Sequence, residues 1–420
     1  MKYFISIEEV KAIVESMSMI DDGKQVLVQM GVSQLKDDKV LCCLRVTGRT
    51  DQIWTRFSAT PVEDGAEMEE FITATKQFAG VLSAMVSYNK DIAIEIKEDI
   101  VAITVDGVAS IPVDVIKGLY ELPEITMGKT EPVLFQIFAD SKDFSTFAKE
   151  GCMYADPVKG NGCENIIMQL DLKVGTMQGS STDGFLIGRS KTLIKINQKQ
   201  LTDSGEVLEK YFSGKPGESM EKLILLVPDK AFSRMLKVEE GAPQITLAAD
   251  TKHLFVGAGR NVYALTLGAQ LINLDNALKT FAESEVSASL ELSSKDVVRA
   301  VQTIKKVGSV KTGSDKVCMH VTLQDSMLCL SADAGTVRIP LKSISDNAEL
   351  DFFCYSNLFE KAVSGVASES LIMQNLSGNG PVRFLKEENS FAMIYMLKAR
   401  KPASEETSEG ESAREAELSE

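Results

Sequence analysis

The chain has 420 residues, of which 44% are hydrophobic and 25% charged, a composition typical of folded proteins with enough apolar material for several cores. No run of about 18 apolar residues is present, so we expect no transmembrane helix. The opening MKYFISIEEVKAIVE carries charges inside its apolar stretch, unlike a signal peptide. The net charge of −15 argues against a surface that is basic throughout, so any nucleic-acid contact must come from local basic patches.

A strand that leads into a short amphipathic helix occurs three times, at 3–17, 133–149 and 286–307. Ser141 and either Ser293 or Ser294 are candidate N-caps of the second and third helices. Strands with a similar polar turn follow each time, in VTGRTDQ (46–52), SSTDGFL (180–186) and SADAGTV (331–337).

A second unit recurs after each of these turns. Its helices are predicted at 67–85, 229–238 and within 350–366, and each is followed by alternating strands, at 92–113, 244–267 and 371–397. Each repeat therefore contains two helices and antiparallel strands, which predicts an α+β fold of three similar domains.

The points where the pattern restarts give the domain boundaries. We expect domain 1 at 1–125, domain 2 at 126–282 with a loop-rich insertion near 200–222, and domain 3 at 283–400. Residues 401–420 contain seven glutamates, one lysine and one arginine with few apolar side chains, which predicts a disordered acidic tail.

Catalytic and metal-binding groups are hard to find. The seven cysteines are scattered without a CxxC pair and are typical of buried thiols in a reducing cytoplasm. The two histidines, His253 and His320, have no partners at metal-site spacing. VGAGRN (256–261) and SGKPGES (213–219) lack the glycine spacing of nucleotide-binding loops and are better interpreted as turns. We therefore predict a protein that is not an enzyme and has no cofactor.

Basic side chains follow one face of several predicted helices. On the helix from 294, Lys295, Arg299 and Lys306 share a face with Gln302, while Val297, Val301 and Ile304 form an apolar stripe. A solvated helix face gives the same pattern, so the alternative stays open. The residues predicted to face DNA are Lys24, Lys76, Lys142, Lys149, Lys230, Arg234, Lys237, Lys295, Arg299 and Lys306.

Four stretches in order resemble the beta subunit of bacterial DNA polymerase III, the sliding clamp, over roughly residues 1–398. They are MKYFISIEEVKAIV at the start, STDGFLI (181–187), LILLVPDKAFSRML (223–236) and SFAMIYML (390–397). The resemblance implies the DNA clamp fold, in which two chains join head to tail into a ring with helices lining the hole. It also implies a homodimer that encircles double-stranded DNA without reading its sequence and gives a polymerase its processivity.

Members of this family bind the polymerase, the clamp loader and other partners through a short peptide with a glutamine and hydrophobic anchors. The resemblance places the peptide pocket at Thr182, Gly184, Phe185, Leu186, Ile187, Ile272, Asn276, Ala277, Leu278, Tyr355, Leu358, Val382, Ile394, Tyr395, Met396 and Leu397. Phe185 and Leu186 stand where the family has His-Arg, and Asn276 stands where an arginine is common, so we expect a less basic pocket. For each residue, ordinary core is the alternative.

Three further expectations follow. The dimer contact should use edge strands near 104–112 and 334–341, with Val81 and Met85 as possible apolar contributors. The location should be the cytoplasm, at the nucleoid. Two other functions stay open: a clamp-like scaffold of a phage or mobile element that serves a different replication or repair partner, and a β-rich enzyme whose site is unrecognised.

Overall fold

The structure is a computed structural model. It describes residues 1–20, 22–62, 68–117, 125–126, 133–156, 158–172, 174–196, 222–229, 232, 242–312, 316–333, 335–366, 368–378, 380–386 and 393–399. The predicted tail lies outside the described residues, as do nearly all of the insertion near 200–222 and of the helix at 229–238.

The described strands and helices alternate much as the repeats predict. The strands are β1 (Lys2–Ile5), β2 (Gln25–Gln34), β3 (Val40–Thr47), β4 (Asp51–Pro61), β5 (Glu69–Ala74), β6 (Ile92–Ile96), β7 (Ile100–Val105), β8 (Ala109–Asp114), β9 (Phe135–Asp140), β10 (Asn165–Asp171), β11 (Thr176–Thr182), β12 (Leu186–Leu193), β13 (Lys195–Ile196), β14 (Lys222–Pro228), β15 (Gln244–Ala249), β16 (His253–Ala258), β17 (Asn261–Thr266), β18 (Val286–Ser293), β19 (Cys318–Gln324), β20 (Met327–Ala332), β21 (Gly335–Pro340), β22 (Ser343–Ile344), β23 (Asp351–Tyr355), β24 (Ser370–Leu376), β25 (Val382–Leu385) and β26 (Met393–Met396). The helices are α1 (Ile7–Ser18), α2 (Thr75–Val86), α3 (Ser141–Gly151), α4 (Asp275–Glu283), α5 (Ser294–Thr312) and α6 (Ser356–Gly365).

The chain divides into two compact units. The first contains Met1–Ser145, Leu170–Thr176 and Leu193–Ala269, and the second contains the remainder. Residues of the predicted middle domain belong to both units, so the predicted boundaries at 125/126 and 282/283 stay predictions.

The first unit contains one antiparallel sheet whose main path runs β13-β9-β15-β16-β17-β4-β1-β6-β7-β8. The long strand β4 joins its parts: its first residues pair with β17, its last residues pair with β1, and β3 lies along its other edge. Strand β3 shows why these segments form strands. Val40, Cys42, Leu44 and Val46 are buried while their neighbours are not, as alternation across a half-buried sheet requires.

Helices α1 and α2 pack on each other in the first unit. The Ser6 hydroxyl caps α1 by accepting the Glu9 amide N–H at 3.4 Å. Helix α2 buries Phe78, Leu82 and Met85, so Met85 belongs to this core rather than to an exposed surface.

The second unit contains a sheet with the strand order β10-β11-β12-β26-β25-β24-β18-β22 and a smaller sheet with the order β21-β20-β19-β23. Helices α5 and α6 pack on each other. Val297, Val301 and Ile304 on α5 join the core of this unit, which confirms the predicted apolar stripe.

Two local predictions were wrong. The helix expected from residue 67 begins at Thr75, because residues 69–74 form β5, which pairs with β2 and buries Phe71 and Thr73. The cap of α3 is Asp140 rather than Ser141, because an Asp140 carboxylate oxygen accepts the amides of Lys142 and Asp143 at 2.9 and 3.2 Å. In the third repeat, Ser293 and Ser294 were the candidate caps of the helix, and the cap is Ser293, whose hydroxyl accepts the Asp296 amide at 3.4 Å.

No helix in the described segments is long and apolar enough to cross a bilayer.

Candidate functional site

The turn between β11 and β12 is built by its own side chains. Asp183 Oδ1 accepts the amides of Phe185 and Leu186 at 3.0 and 2.7 Å. Thr182 Oγ1 donates to the Leu186 carbonyl and accepts the Gly184 amide. Gly184 has a φ of +82°, a left-handed conformation that favours glycine. The sequence Thr-Asp-Gly therefore fixes this turn and presents the next side chain, Phe185, to solvent with half of its surface exposed (50%).

Strand β26 lies between β12 and β25 and brings the predicted pocket residues together. Leu186 pairs with Met396 and Ile187 with Tyr395, while Val382 of β25 pairs with Met396 on the other side. Because neighbouring residues of a strand point to opposite faces, this register divides the predicted pocket residues into two groups.

The first group packs into the main core of the second unit. Leu186, Val382, Ile394 and Met396 are buried there, and Leu358 packs against them.

The second group forms a smaller cluster on the opposite face. Ile187, Leu278 and Tyr395 are buried in it and Ile272 packs at its edge. The ring of Phe281 lies 5.3 Å from that of Tyr395, centroid to centroid. This aromatic pair packs on the face opposite the main core.

A third set of predicted residues reaches solvent. Phe185 and Leu397 are neighbours, since the Leu397 amide donates to the Phe185 carbonyl at 2.9 Å, and Leu397 is 38% exposed. Tyr355 is also exposed, as are Gly184 and Asn276, whereas Ala277 is half-buried and Thr182 buried.

Tyr154 is the important residue that the sequence did not single out. Only 1% of it is exposed, and it joins the cluster of Leu186, Ile394 and Met396. Two glycines leave room for the Tyr154 side chain: a Cβ at Gly188 would overlap the Tyr154 ring, and a Cβ at Gly365 would overlap its hydroxyl. The hydroxyl donates to the Lys361 carbonyl at 3.4 Å. Contacts between residues so distant in sequence leave no local pattern that could have revealed them.

Two lysines and one aspartate add charge beside this cluster. Lys361 Nζ lies 3.1 Å from Asp183 Oδ2 and 5.3 Å from the centre of the Tyr154 ring. Lys159 Nζ lies 4.4 Å from the centre of the Phe185 ring, a cation–π contact. Burial raises the pKa of the Tyr154 hydroxyl, and the Asp183 carboxylate raises it further, so the hydroxyl stays neutral. Burial lowers the pKa of Lys398, the residue that follows Leu397.

The predicted DNA-facing cations are exposed wherever the structure describes them, which are Lys24, Lys76, Lys142, Lys149, Lys295, Arg299 and Lys306. Lys230, Arg234 and Lys237 lie outside the described residues. On α5, Gln302 and Lys305 instead contact Glu360 of α6, at 2.9 and 3.5 Å. Lys295, Arg299 and Lys306 make no ion pair within the described segments, so their charges remain available to a ligand.

The two predicted edge strands lie at sheet edges. Strand β8 ends the main path of the first unit's sheet, and β21 ends the smaller sheet of the second unit. Ile111 on β8 is 37% exposed.

The histidines lie in polar contacts. His253 Nδ1 is 3.2 Å from an Asp250 carboxylate oxygen, and His320 Nε2 is 2.7 Å from Asp351. No group of three or more histidine, cysteine or acidic side chains in the described part of the chain could hold a metal ion.

Comparisons with known proteins show the fold. No protein-family model matches the sequence, and no curated protein sequence matches it significantly. The beta subunit of DNA polymerase III from Thermotoga maritima is similar in structure, with a TM-score of 0.72 at 12% identity over 96% of this chain and 100% of that one. The Helicobacter pylori beta clamp bound to a DNA ligase peptide has the same TM-score, identity and coverage. The beta subunit from the DNA polymerase of Streptococcus pyogenes matches with a TM-score of 0.73 at 10% identity over the same shares. The chain therefore has the fold of these clamps over 96% of its length, as the resemblance implied.

Proposed function

We propose that this chain is a DNA sliding clamp, a ring-forming protein that encircles duplex DNA and tethers a replicative polymerase without making or breaking bonds. The observation that carries the proposal is the fold match over all of each clamp chain and 96% of this one. A ring of this kind needs no catalytic cluster, since a topological link to DNA supplies the processivity.

The contact with DNA is assigned to exposed cations on helices, chiefly Lys295, Arg299 and Lys306 of α5. Their spacing places them on the face opposite the buried Val297 and Val301. Such cations attract phosphates without reading bases, so the contact is sequence-independent, weakens with salt and permits sliding.

The ring is assigned to two copies joined head to tail. Strands β8 and β21 each present an edge that no other described strand covers. An open edge with an exposed apolar side chain, such as Ile111, favours pairing with another strand. Val307 and Val310 on α5 are exposed as well and add apolar surface suited to such an interface.

The partner peptide is assigned to the surface beside β26. The Helicobacter clamp was solved with a DNA ligase peptide, and we extend peptide binding to this chain, with the polymerase and the clamp loader as partners. Phe185 and Leu397 supply exposed apolar area, and Lys159 adds a cation. Tyr154 is buried in the main core, and the Phe281–Tyr395 pair lies on the opposite face of the sheet. A peptide with a glutamine and hydrophobic anchors therefore meets Phe185 and Leu397 at the surface, and its preference depends on these two side chains and on Lys159.

The replacements at Phe185, Leu186 and Asn276 also favour the second candidate function, a clamp-like scaffold of a phage or mobile element with a different replication or repair partner. Both functions place the protein in the cytoplasm at the nucleoid, and they differ in the peptide bound.

Retention on DNA tests the main proposal. Protein loaded by its cell's clamp loader onto a nicked circular plasmid should stay bound during gel filtration and should leave after the plasmid is cut to a linear form. Reversal of charge at Lys295, Arg299 and Lys306 should abolish retention, whereas reversal at Lys36 and Lys39, on the β2–β3 hairpin, should not. Equal retention on circular and linear DNA would refute encirclement.

The mass in solution and the particle shape test the ring. We expect a dimer at micromolar concentration and closed rings in electron micrographs, and Ile111→Asp should convert it to monomer. A wild-type chain that is monomeric and forms no rings would contradict the proposal.

A further inference from the structure

A pocket of about 290 Å³ opens on one face of the first unit's sheet. Trp54 of β4, Phe255 of β16, Val262 of β17 and Ile125 line its apolar part, and Arg56 and Arg260 stand beside them. None of the roles assigned above uses these residues.

The strand register explains the hollow. Trp54 pairs with Val262, and Arg56 pairs with Cys43 of β3, so these four side chains share one face of the sheet. Gly257 pairs with Val262 on the other side and adds no side chain to this face. The missing side chain leaves open space beside Phe255, which precedes Gly257 by two residues and therefore points the same way.

The charges at the pocket are unequal. Arg260 pairs with the Glu9 carboxylate, which compensates its guanidinium. Arg56 is exposed and has no ion pair within the described segments. Burial raises the pKa of the Cys43 thiol, against an opposing effect of Arg56, so the thiol adds no negative charge near neutral pH. Among the described residues that line it, the pocket therefore has one cation without an ion pair, Arg56, beside an apolar wall.

A buried hydroxyl adds a second polar feature. Thr126 lines the pocket, but its Oγ1 is out of contact with solvent and has no hydrogen-bond partner in the described part of the chain. A buried polar atom without a partner is unfavourable, and rotation of the Thr126 side chain toward a ligand that accepts a hydrogen bond would remove this penalty.

We propose that this pocket binds a small aromatic carboxylate, with its ring against Trp54 and Phe255 and its carboxylate at Arg56 and Thr126. The cavity, near the lower limit of small-molecule sites, suits one or two rings with a short acid chain. The guanidinium offers paired N–H donors that match the geometry of a carboxylate. This proposal is independent of the clamp function, because it concerns only the first unit's own residues.

The only tryptophan of the chain, Trp54, reports on this pocket directly. The probe is 3-phenylpropionate, with 3-phenylpropanamide and 3-phenylpropylamine as neutral and cationic counterparts of similar size. Titration of the full chain should give a saturable change in tryptophan fluorescence with the carboxylate. The amide cannot form the charged hydrogen bonds, so its affinity should be about tenfold or more below that of the carboxylate, and the amine should not bind.

Variants separate anion recognition from simple apolar contact. Arg56→Gln should lower the affinity for 3-phenylpropionate about tenfold, to that for the amide. Thr126→Val should lower the affinity for 3-phenylpropionate by a smaller factor. Arg49→Gln replaces another exposed arginine in the turn before β4 and should leave the affinity unchanged. Circular dichroism of each variant establishes that it is folded.

Two outcomes would overturn the proposal. One is a fluorescence change that does not saturate, or that is the same for carboxylate and amide, since the site would then lack anion recognition. The other is an Arg56→Gln variant, folded by circular dichroism, that binds 3-phenylpropionate as the wild type does.

Discussion

Adding one methyl group at Gly365 tests whether Tyr154 fills its slot as tightly as the structure indicates. A Cβ there would overlap the Tyr154 hydroxyl and lie 2.8 Å from Ile394 Cδ1. Overpacking of a core costs about 1–3 kcal/mol. Alanine in place of a helical glycine returns about 0.5–1 kcal/mol. We therefore expect Gly365→Ala to lower the free energy of unfolding by about 1–2 kcal/mol.

The double variant, Tyr154→Phe with Gly365→Ala, tests whether the overlap causes this loss of stability. Tyr154→Phe alone loses only the 3.4 Å hydrogen bond to Lys361, worth about 0.5 kcal/mol. In the Gly365→Ala background the same change removes the overlapping atom, so it should restore about 1 kcal/mol instead of costing stability.

Urea unfolding followed by circular dichroism measures the four proteins of this cycle, and amide exchange at residues 393–396 localises the effect. Gly80→Ala on α2, where an added Cβ has no atom within 4 Å, is the matched control and should stabilise by about 0.5–1 kcal/mol. Additive effects of the two changes, within about 0.5 kcal/mol, would refute tight packing of Tyr154 against Gly365.

Three further predictions concern capping, ionisation and the partner surface. Asp140→Ala should destabilise the protein by about 1 kcal/mol in urea unfolding, through loss of the α3 cap, whereas Ser141→Ala should change little; equal effects would contradict the assignment of the cap. Burial raises the pKa of Cys42 to about 12, while an unfolded thiol titrates near ~8.5. The contribution of the neutral thiol to stability is therefore complete below pH ~8.5 and is lost as the pH rises toward the folded pKa, by up to about 1.4 kcal/mol per pH unit. The free energy of unfolding, measured from pH 8 to 11, should fall less steeply with pH in Cys42→Ala than in the wild type. Identical slopes for the two proteins would exclude this thiol as a cause. Phe185→Ala should lower the affinity for a glutamine–leucine–x–leucine–phenylalanine peptide about tenfold in a fluorescence-anisotropy titration. Val158→Ala, an exposed control, should leave this affinity unchanged. Unchanged peptide binding by Phe185→Ala would show that the turn is not part of the partner surface.

The sequence predicted local features well because local physics determines them. The alternation in β3, the Asp-Gly turn at 183–184 and the apolar stripe of α5 all follow from the neighbours of each residue. The start of α2 was missed because residues 69–74 suit a strand only through their pairing with β2. Asp140 was missed as a cap because a serine at the next position was an equally good candidate by sequence.

The candidate site was predicted only in position. The resemblance named Ile394, Tyr395, Met396 and Leu397 together, but a strand must point neighbouring side chains to opposite faces, and the two clusters follow from that alternation. The role of Tyr154 depends on Gly188 and Gly365, which come near it only in the folded chain. No pattern in one sequence reports such a distant fit.

The position of β26 has a consequence for synthesis. This strand lies between β12 and β25, yet it follows both in the chain. Until the ribosome has released residues 393–396, the edges of β12 and β25 remain without their partner, and the sheet of the second unit cannot close. Folding of this unit is therefore delayed until residues 393–396 have left the ribosome, because long-range pairing must await this strand. During that interval the nascent chain exposes two unpaired edges, the feature that chaperones protect from aggregation.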